Sequence, residues 1–262
     1  MKKAFFTLAL MLMTFTANAQ TTPRGDLNGD GVVSVSDVTE LVNIILGGDA
    51  PQSYLTCPDD QHPHLIDLGL PSGTKWACCN VGAGKPEAYG GYYAWGETKE
   101  KSIYYDVTYL YATGVDEGGD GWYDDWHDNT NTSGVWQNLG SDIAGTQYDV
   151  AHMKWGGSWV MPSIEQQEEL INNCTNEWAT MNGVNGCKFT SKTNGGSIFL
   201  PAAGDRCNSD LYDAGLSGGY WSSTKDPSRT SRAFGLFFNS IGASTEYDRR
   251  CWGHGVRPVI RN

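Results

Sequence analysis

Glycine and tryptophan set the strongest limit on how this chain folds. It contains 33 Gly and 10 Trp among its 262 residues, whereas charged residues make up only 18%. So low a charge content is untypical of a disordered chain, and tryptophan side chains bury large apolar areas when they pack. Glycine permits turns that other residues resist. We therefore expect a loop-rich globular body anchored by buried aromatic side chains.

The N-terminus has the pattern of a secretory signal over residues 1–19. Lys2 and Lys3 precede an apolar run from Ala4 to Phe15, and the small-residue site Ala17-Asn18-Ala19 follows. This order predicts cleavage before Gln20 and export to an extracellular, cell-surface or periplasmic location. No other stretch approaches the roughly 20 apolar residues of a membrane helix, so we expect no membrane span.

The charge of the exported chain limits its partners. Removing residues 1–19 takes away two lysines and no acidic residue, so the formal net charge of −12 becomes −14. Because phosphate binding depends on clustered Lys and Arg, we expect no nucleic-acid partner. Cations, glycans and proteins suit an acidic chain better.

All seven cysteines follow the predicted signal. They would therefore be exported to an oxidising environment, in which disulfides form and persist. Seven is an odd number, so at least one thiol has no partner within the chain. Spacing does not fix the connectivity. The cysteines are Cys57, Cys78, Cys79, Cys174, Cys187, Cys207 and Cys251.

A twelve-residue loop after a short linker, residues 20–25, has the spacing of a calcium site. Calcium takes six to eight oxygen ligands, and a loop of this kind wraps them around one point, with glycine at its sixth position. Gly31 occupies that position here, and Val32 would contribute its backbone carbonyl. The predicted Ca²⁺ ligands are Asp26, Asn28, Asp30, Val32, Ser34 and Asp37.

An amphipathic helix is expected directly after this loop, with an apolar stripe from Val38 to Leu46 that ends at Gly47-Gly48. Loop and helix together, residues 26–48, resemble one half of a type I dockerin repeat. A complete dockerin has two such halves, and this sequence shows one, so the protein partner of the half stays open. Residues 49–63, which include Pro51, Pro58 and Pro63, are expected to form a second linker.

The rest of the chain, residues 64–262, carries a series of short motifs rich in glycine and tryptophan. In order they are Leu65 to Ala77, Asn80 to Ala83, Tyr92 to Glu97, Gly156 to Ser163, Phe199 to Gly204, Tyr220 to Thr224 and Gly255 to Val259. This series resembles the Fibrobacter succinogenes major paralogous domain, a family of exported bacterial domains. That family is itself similar to the C-type-lectin-like and formylglycine-generating-enzyme fold.

The resemblance implies an α+β domain with small antiparallel sheets, one or two helices and long loops. It also implies a disulfide between Cys79 and Cys174, because the family tends to carry cysteine after the Lys-Trp-Ala segment and at the end of the capped helix. The fold includes an oxidase that uses a cysteine pair, which makes Cys207 and Cys251 the corresponding candidates here. A structural disulfide explains those two more simply.

Local patterns in this region agree with that fold. Ser163 and Gln166 form the capping box of a predicted helix. A hairpin is expected around Thr193 to Gly196, and three further strands over Ala233 to Asn239, Ser244 to Asp248 and Gly255 to Ile260. The expected core anchors are Trp76, Trp95, Trp159 and Trp221.

Two segments are candidates for recognition. Asp116 to Asp128 mixes carboxylates with aromatic residues, and either a second calcium site or a solvated loop explains it. The segment from Lys225 to His254 is rich in Arg, Tyr and Trp, the residue types that anchor interfaces. Its predicted ligand-binding residues are Arg229, Arg232, Tyr247, Arg249, Arg250 and Trp252.

The sequence therefore predicts a secreted, calcium-binding surface or extracellular protein with a non-catalytic domain that recognises a protein or a glycan. The alternative is an accessory or catalytic component of polysaccharide degradation, attached through the dockerin-like segment. No segment isolates a general acid and a base that would identify a glycosidase. We therefore expect binding and adhesion rather than catalysis.

Overall fold

The computed structural model describes residues 64–113 and 135–261. The predicted signal, calcium loop, dockerin-like helix and both linkers lie outside the described residues, as does the acidic segment from Asp116 to Asp128. The two α-helices that the structure describes are α1 (Val150–Trp155) and α2 (Ile164–Asn173), and a short 3₁₀ helix spans Asp106–Thr108.

Fourteen short strands make up the rest of the regular structure in the described residues. They are β1 (Leu65–Asp67), β2 (Lys75–Ala77), β3 (Ala112–Thr113), β4 (Val135–Trp136), β5 (Trp159–Val160), β6 (Cys174–Met181), β7 (Val184–Ser191), β8 (Ser197–Pro201), β9 (Asp205–Cys207), β10 (Asp210–Tyr212), β11 (Ser217–Lys225), β12 (Arg232–Asn239), β13 (Ala243–Arg249) and β14 (Val259–Ile260).

These strands form five small sheets with antiparallel pairing between neighbours. The largest has the order β1-β2-β14-β5, so β14 lies between strands from much earlier in the chain. Two three-stranded sheets follow the chain order, β6-β7-β8 and β11-β12-β13. Small antiparallel sheets with two helices are compatible with the expected α+β class and also with a mostly-β class.

Helix α2 begins where the capping box predicts. The Ser163 hydroxyl accepts a hydrogen bond from the Gln166 amide at 3.3 Å, and the Ser163 amide donates to Oε1 of Gln166 at 2.9 Å. These bonds satisfy amides that the first helical turn leaves without partners. Ile164 and Leu170 are buried on the inner face, so the predicted helix is confirmed.

The predicted hairpin around Thr193 to Gly196 is also confirmed, because it joins β7 to β8. Strands β12 and β13 cover the predictions at Ala233 to Asn239 and Ser244 to Asp248. The third prediction, Gly255 to Ile260, is only partly right. Only its last two residues, Val259 and Ile260, form a strand. Gly255 makes an isolated parallel bridge with Tyr220.

The four tryptophans expected in the core are buried, namely Trp76, Trp95, Trp159 and Trp221. Two of them also tie loops to strands through the indole N–H. Trp95 donates to the carbonyl of Ser222 at 2.9 Å, and Trp221 donates to the carbonyl of Tyr93 at 2.8 Å. The aromatic anchors therefore supply both apolar burial and hydrogen bonds.

The expected bridge between Cys79 and Cys174 is not formed. Both thiols are buried, and they belong to different apolar clusters: Cys79 packs with Cys78 and Ala83, whereas Cys174 packs in the main core. The thiol of Cys79 contacts the carbonyl of Ala83 at 3.5 Å. In this structure the two cysteines thus serve as small buried apolar residues.

No helix within residues 64–113 and 135–261 combines the length and the apolar character needed to cross a membrane.

Candidate functional site

The predicted recognition segment, Lys225 to His254, supplies β12, β13 and the loop that follows them. Successive residues of a strand point to opposite faces of a sheet. Tyr247 lies opposite Phe234 in the register, and their rings are 6.4 Å apart, so these side chains share one face. Asp248 therefore points to the other face, and the segment presents two separate surfaces.

On the first surface, two arginines and a tyrosine form a cluster that we call the Arg–Tyr cluster: Arg229, Arg232 and Tyr247. The guanidinium carbons of Arg229 and Arg232 lie 5.0 and 4.9 Å from the centroid of the Tyr247 ring. Tyr247 remains 41% exposed. Burial lowers the pKa of Arg232, and the neighbouring charge of Arg229 lowers it further. The cluster therefore places two cationic side chains beside a partly exposed phenol ring, while Tyr247, Asp248 and Asp226 act to raise the pKa of Arg232 again.

Arg249, another predicted ligand residue, is held by an ion pair. Its Nη1 lies 3.1 Å from Oδ2 of Asp106 in the 3₁₀ helix, and both side chains are largely buried. Oδ1 of the same carboxylate accepts a hydrogen bond from the Cys251 thiol at 2.8 Å. Arg249 thus fixes the loop after β13 rather than standing free for a ligand.

The prediction that Arg250 lies on an exposed binding face is wrong, because this side chain is fully buried. Its guanidinium is surrounded by the rings of Trp95, Tyr109 and Trp136, whose centroids lie 4.8, 5.3 and 5.9 Å away. Such contacts stabilise a desolvated cation. Arg250 is therefore a core residue. Trp252 is half-buried and packs against an apolar cluster that includes Tyr92 and Cys251.

The second surface of the sheet carries a cleft of about 220 Å³. Gly219, Phe237 and Ser244 lie opposite one another on β11, β12 and β13 and form one wall. Asp205 from β9 and Asp248 from β13 contribute carboxylates to the cleft, and His254 contributes its ring. The complete lining is Asp205, Ser217, Gly218, Gly219, Phe237, Phe238, Asn239, Gly242, Ser244, Asp248 and His254.

His254 is 1% exposed and is oriented by Asp248. Its Nε2 lies 3.1 Å from Oδ2 of Asp248, and Trp221 and Phe237 contact the ring edge-on, with centroids 4.4 and 5.3 Å away. Among the described residues Nδ1 of His254 is buried without a hydrogen-bond partner. A Cβ on Gly219 would lie only 2.5 Å from this nitrogen, so glycine is needed at this position for the ring to fit.

Sequence reasoning placed Asp248 and His254 in the recognition segment but missed Asp205 and the glycines of β11. Burial raises the pKa of Asp205, and the nearby charges of Asp248 and Asp213 act in the same direction, while His254 opposes them. Nothing in the local sequence around Asp205 distinguishes it from an ordinary surface acid. Only strand pairing brings it to the cleft.

Cys207 and Cys251, the candidates for a cysteine pair, are buried and free. Burial raises the pKa of Cys207 to about 11, and nearby carboxylates including Asp205 add to this. Burial and Asp106 raise the pKa of Cys251 well above its usual value. A reactive cysteine needs a lowered pKa, since the thiolate is the nucleophile. The surroundings of both thiols thus favour the unreactive form.

Within residues 64–113 and 135–261, no three or more His, Cys, Asp or Glu side chains are arranged to hold a metal ion. The predicted calcium ligands Asp26, Asn28, Asp30, Val32, Ser34 and Asp37 lie outside the described residues, so the Ca²⁺ assignment stays a prediction.

Comparisons with protein-family models, with curated proteins and with solved structures find no match to this chain.

Proposed function

We propose that this chain is an exported, calcium-binding surface or extracellular protein whose domain over residues 64–262 recognises a protein or a glycan and carries out no chemistry on it. We propose for this domain a C-type-lectin-like fold of the Fibrobacter succinogenes major paralogous type. The observation that carries the recognition function is the Arg–Tyr cluster on β12 and β13.

Three properties of the Arg–Tyr cluster support recognition. Arginine and tyrosine are the side chains that most often dominate binding energy at interfaces. Tyr247 is partly exposed and both guanidiniums lie near its ring, so two arginines and a phenol are grouped at one place. The strands beneath are paired along their whole lengths, which limits the ordering cost on binding.

The double variant Arg229→Ala/Tyr247→Ala should abolish most ligand capture and leave the fold intact. Exposed substitutions away from caps and cores usually cost under about 0.5 kcal/mol each, so the thermal midpoint should change little. Loss of two interface anchors should weaken binding by about tenfold or more. The measurement is binding of the mature protein to an array of acidic and neutral glycans and to purified surface proteins, beside a thermal melt.

Glu246→Ala is the matched control for this variant, because Glu246 is exposed on the same strand but points to the opposite face. It should bind as the unmodified protein does. Undiminished capture by the double variant would remove the Arg–Tyr cluster from the recognition surface. Turnover of a polysaccharide by the unmodified protein, lost on changing one carboxylate, would replace recognition with catalysis.

Calcium binding rests on the loop from Asp26 to Asp37 and has its own test. Asp30→Ala removes one carboxylate from the predicted oxygen cage, so calcium affinity should fall by about tenfold or more, since ligand charge sets the affinity of such loops. Titration calorimetry of the mature protein measures this. Asp59→Ala, which removes the same charge from the second linker, should bind as before. Equal affinities for both variants would refute the assignment.

A further inference from the structure

The cleft on the other face of the β11-β12-β13 sheet has the chemistry of a binding site that the Arg–Tyr cluster does not use. We propose that this cleft binds a primary ammonium group carried on a short aliphatic chain, held between the carboxylates of Asp205 and Asp248. This goes beyond the proposed recognition function, because it places a second ligand group on the opposite face of the sheet.

The charge of the cleft is the first argument. It holds two carboxylates, and none of its eleven lining residues is Lys or Arg. Within the described residues, no ion pair or hydrogen bond satisfies the carboxylate of Asp205. Burial and the nearby charges of Asp248 and Asp213 penalise the ionised form of Asp205 and raise its pKa, and His254 offsets this only in part. A bound cation would remove this penalty.

The fixed position of Asp248 is the second, independent argument. Its Oδ2 lies 3.1 Å from Nε2 of His254, and its Oδ1 accepts a hydrogen bond from the amide of Arg249 at 2.7 Å. These contacts hold the Asp248 carboxylate in one orientation in the lining of the cleft, which limits the ordering cost on binding.

The size and lining of the cleft select the kind of cation. At about 220 Å³ it is smaller than the roughly 300–1,000 Å³ of sites for drug-sized ligands, so it suits one side chain or a small amine. An ammonium carries three donors on one atom and can face carboxylates that come from different strands, whereas a planar guanidinium needs matched coplanar oxygens. The Phe237 ring offers an apolar and aromatic surface to the aliphatic chain and to the cation.

Titration of the mature, isotope-labelled protein with n-butylammonium, followed by NMR, tests the site. We expect saturable shifts of the amides of Gly218, Gly219 and Asp248, with a dissociation constant on the order of millimolar, as befits so small a ligand. Neutral 1-butanol has the same chain and should bind at least about tenfold more weakly, which is the loss expected for a hydrogen bond between charged groups. Equal binding of the alcohol, or shifts confined to other parts of the molecule, would overturn the proposal.

Charge-removing variants complete the test. Asp205→Asn and Asp248→Asn keep the side-chain shape and should each weaken n-butylammonium binding by about tenfold or more. Asp210→Asn removes the same charge from the exposed strand β10, outside the cleft, and should leave binding unchanged. If Asp210→Asn weakens binding as strongly as the cleft variants, the effect is general charge attraction and the site is refuted. The chemical shifts of the unmodified protein locate the site even if one variant folds poorly.

Discussion

Replacing Arg257 by methionine should lower the free energy of unfolding by about 3–5 kcal/mol, because it leaves several buried acceptors without a donor and each such group costs about 1–3 kcal/mol. The side chain is 1% exposed. Its guanidinium donates to Oδ1 of Asn80 at 2.8 Å and to the carbonyls of Ala77, Cys78 and Phe199 at 3.2, 3.0 and 2.9 Å. Methionine fills similar space but leaves these acceptors buried and unsatisfied.

Arg257→Lys should be nearly as damaging, because a single ammonium on a flexible stem cannot reach acceptors spread around a planar guanidinium. Chemical denaturation of the mature protein, followed by tryptophan fluorescence, measures both changes. Arg261→Met is the comparison, since Arg261 is partly exposed: it pairs with Asp142 and donates to the carbonyl of Met161 and the hydroxyl of Ser223 at 3.3 and 3.1 Å. Its cost should be smaller than that of Arg257→Met, because solvent screens its ion pair. If Arg257→Met lowers the free energy of unfolding no more than Arg261→Met does, Arg257 does not organise the domain.

Replacing Arg250 by alanine should also cost about 3–5 kcal/mol, because it leaves buried acceptors without a donor and opens a cavity in the core. Nε of Arg250 donates to the Tyr109 hydroxyl at 3.0 Å, and Nη1 donates to the carbonyls of Gln137 and Thr230 at 3.1 and 2.9 Å. Among the described residues Nη2 has no hydrogen-bond partner. The rings around the guanidinium supply the remaining stabilisation.

Arg229→Ala is the comparison for this second variant, because each guanidinium lies about 5 Å from an aromatic ring, whereas that of Arg250 is in addition fully buried and hydrogen-bonded. A cation–π contact at an exposed site contributes roughly 0.5–1 kcal/mol. Denaturation curves should therefore separate the two variants by several-fold in free energy. Equal costs would contradict the interpretation of Arg250 as a core residue and restore it to the candidate binding face.

Features that depend on neighbouring residues could be predicted from the sequence. The capping box of Ser163 and Gln166 and the turn from Thr193 to Gly196 each follow from the chemistry of a few adjacent side chains. The burial of tryptophans such as Trp76 follows from their size. The calcium loop is likewise predicted from the spacing of adjacent residues alone.

The division of the arginines between core and surface could not be predicted. Arg249 and Arg250 are adjacent and chemically identical, and their different roles depend on where distant residues such as Asp106 and Trp95 arrive. The cleft was missed for the same reason, since Asp205 meets His254 only through the pairing of separate strands. Non-local contacts of this kind leave no pattern in a short window of sequence.

The position of β14 has a consequence for how the domain assembles. Val259 pairs with Trp76 on one side and with Val160 on the other, so residues 259–260 join β2 and β5, which do not pair with each other in this sheet. Contacts between residues so far apart in sequence close long loops and slow folding. A growing polypeptide cannot complete this sheet until residues 259–260 have been synthesised. Before that point the sheet stays open between β2 and β5.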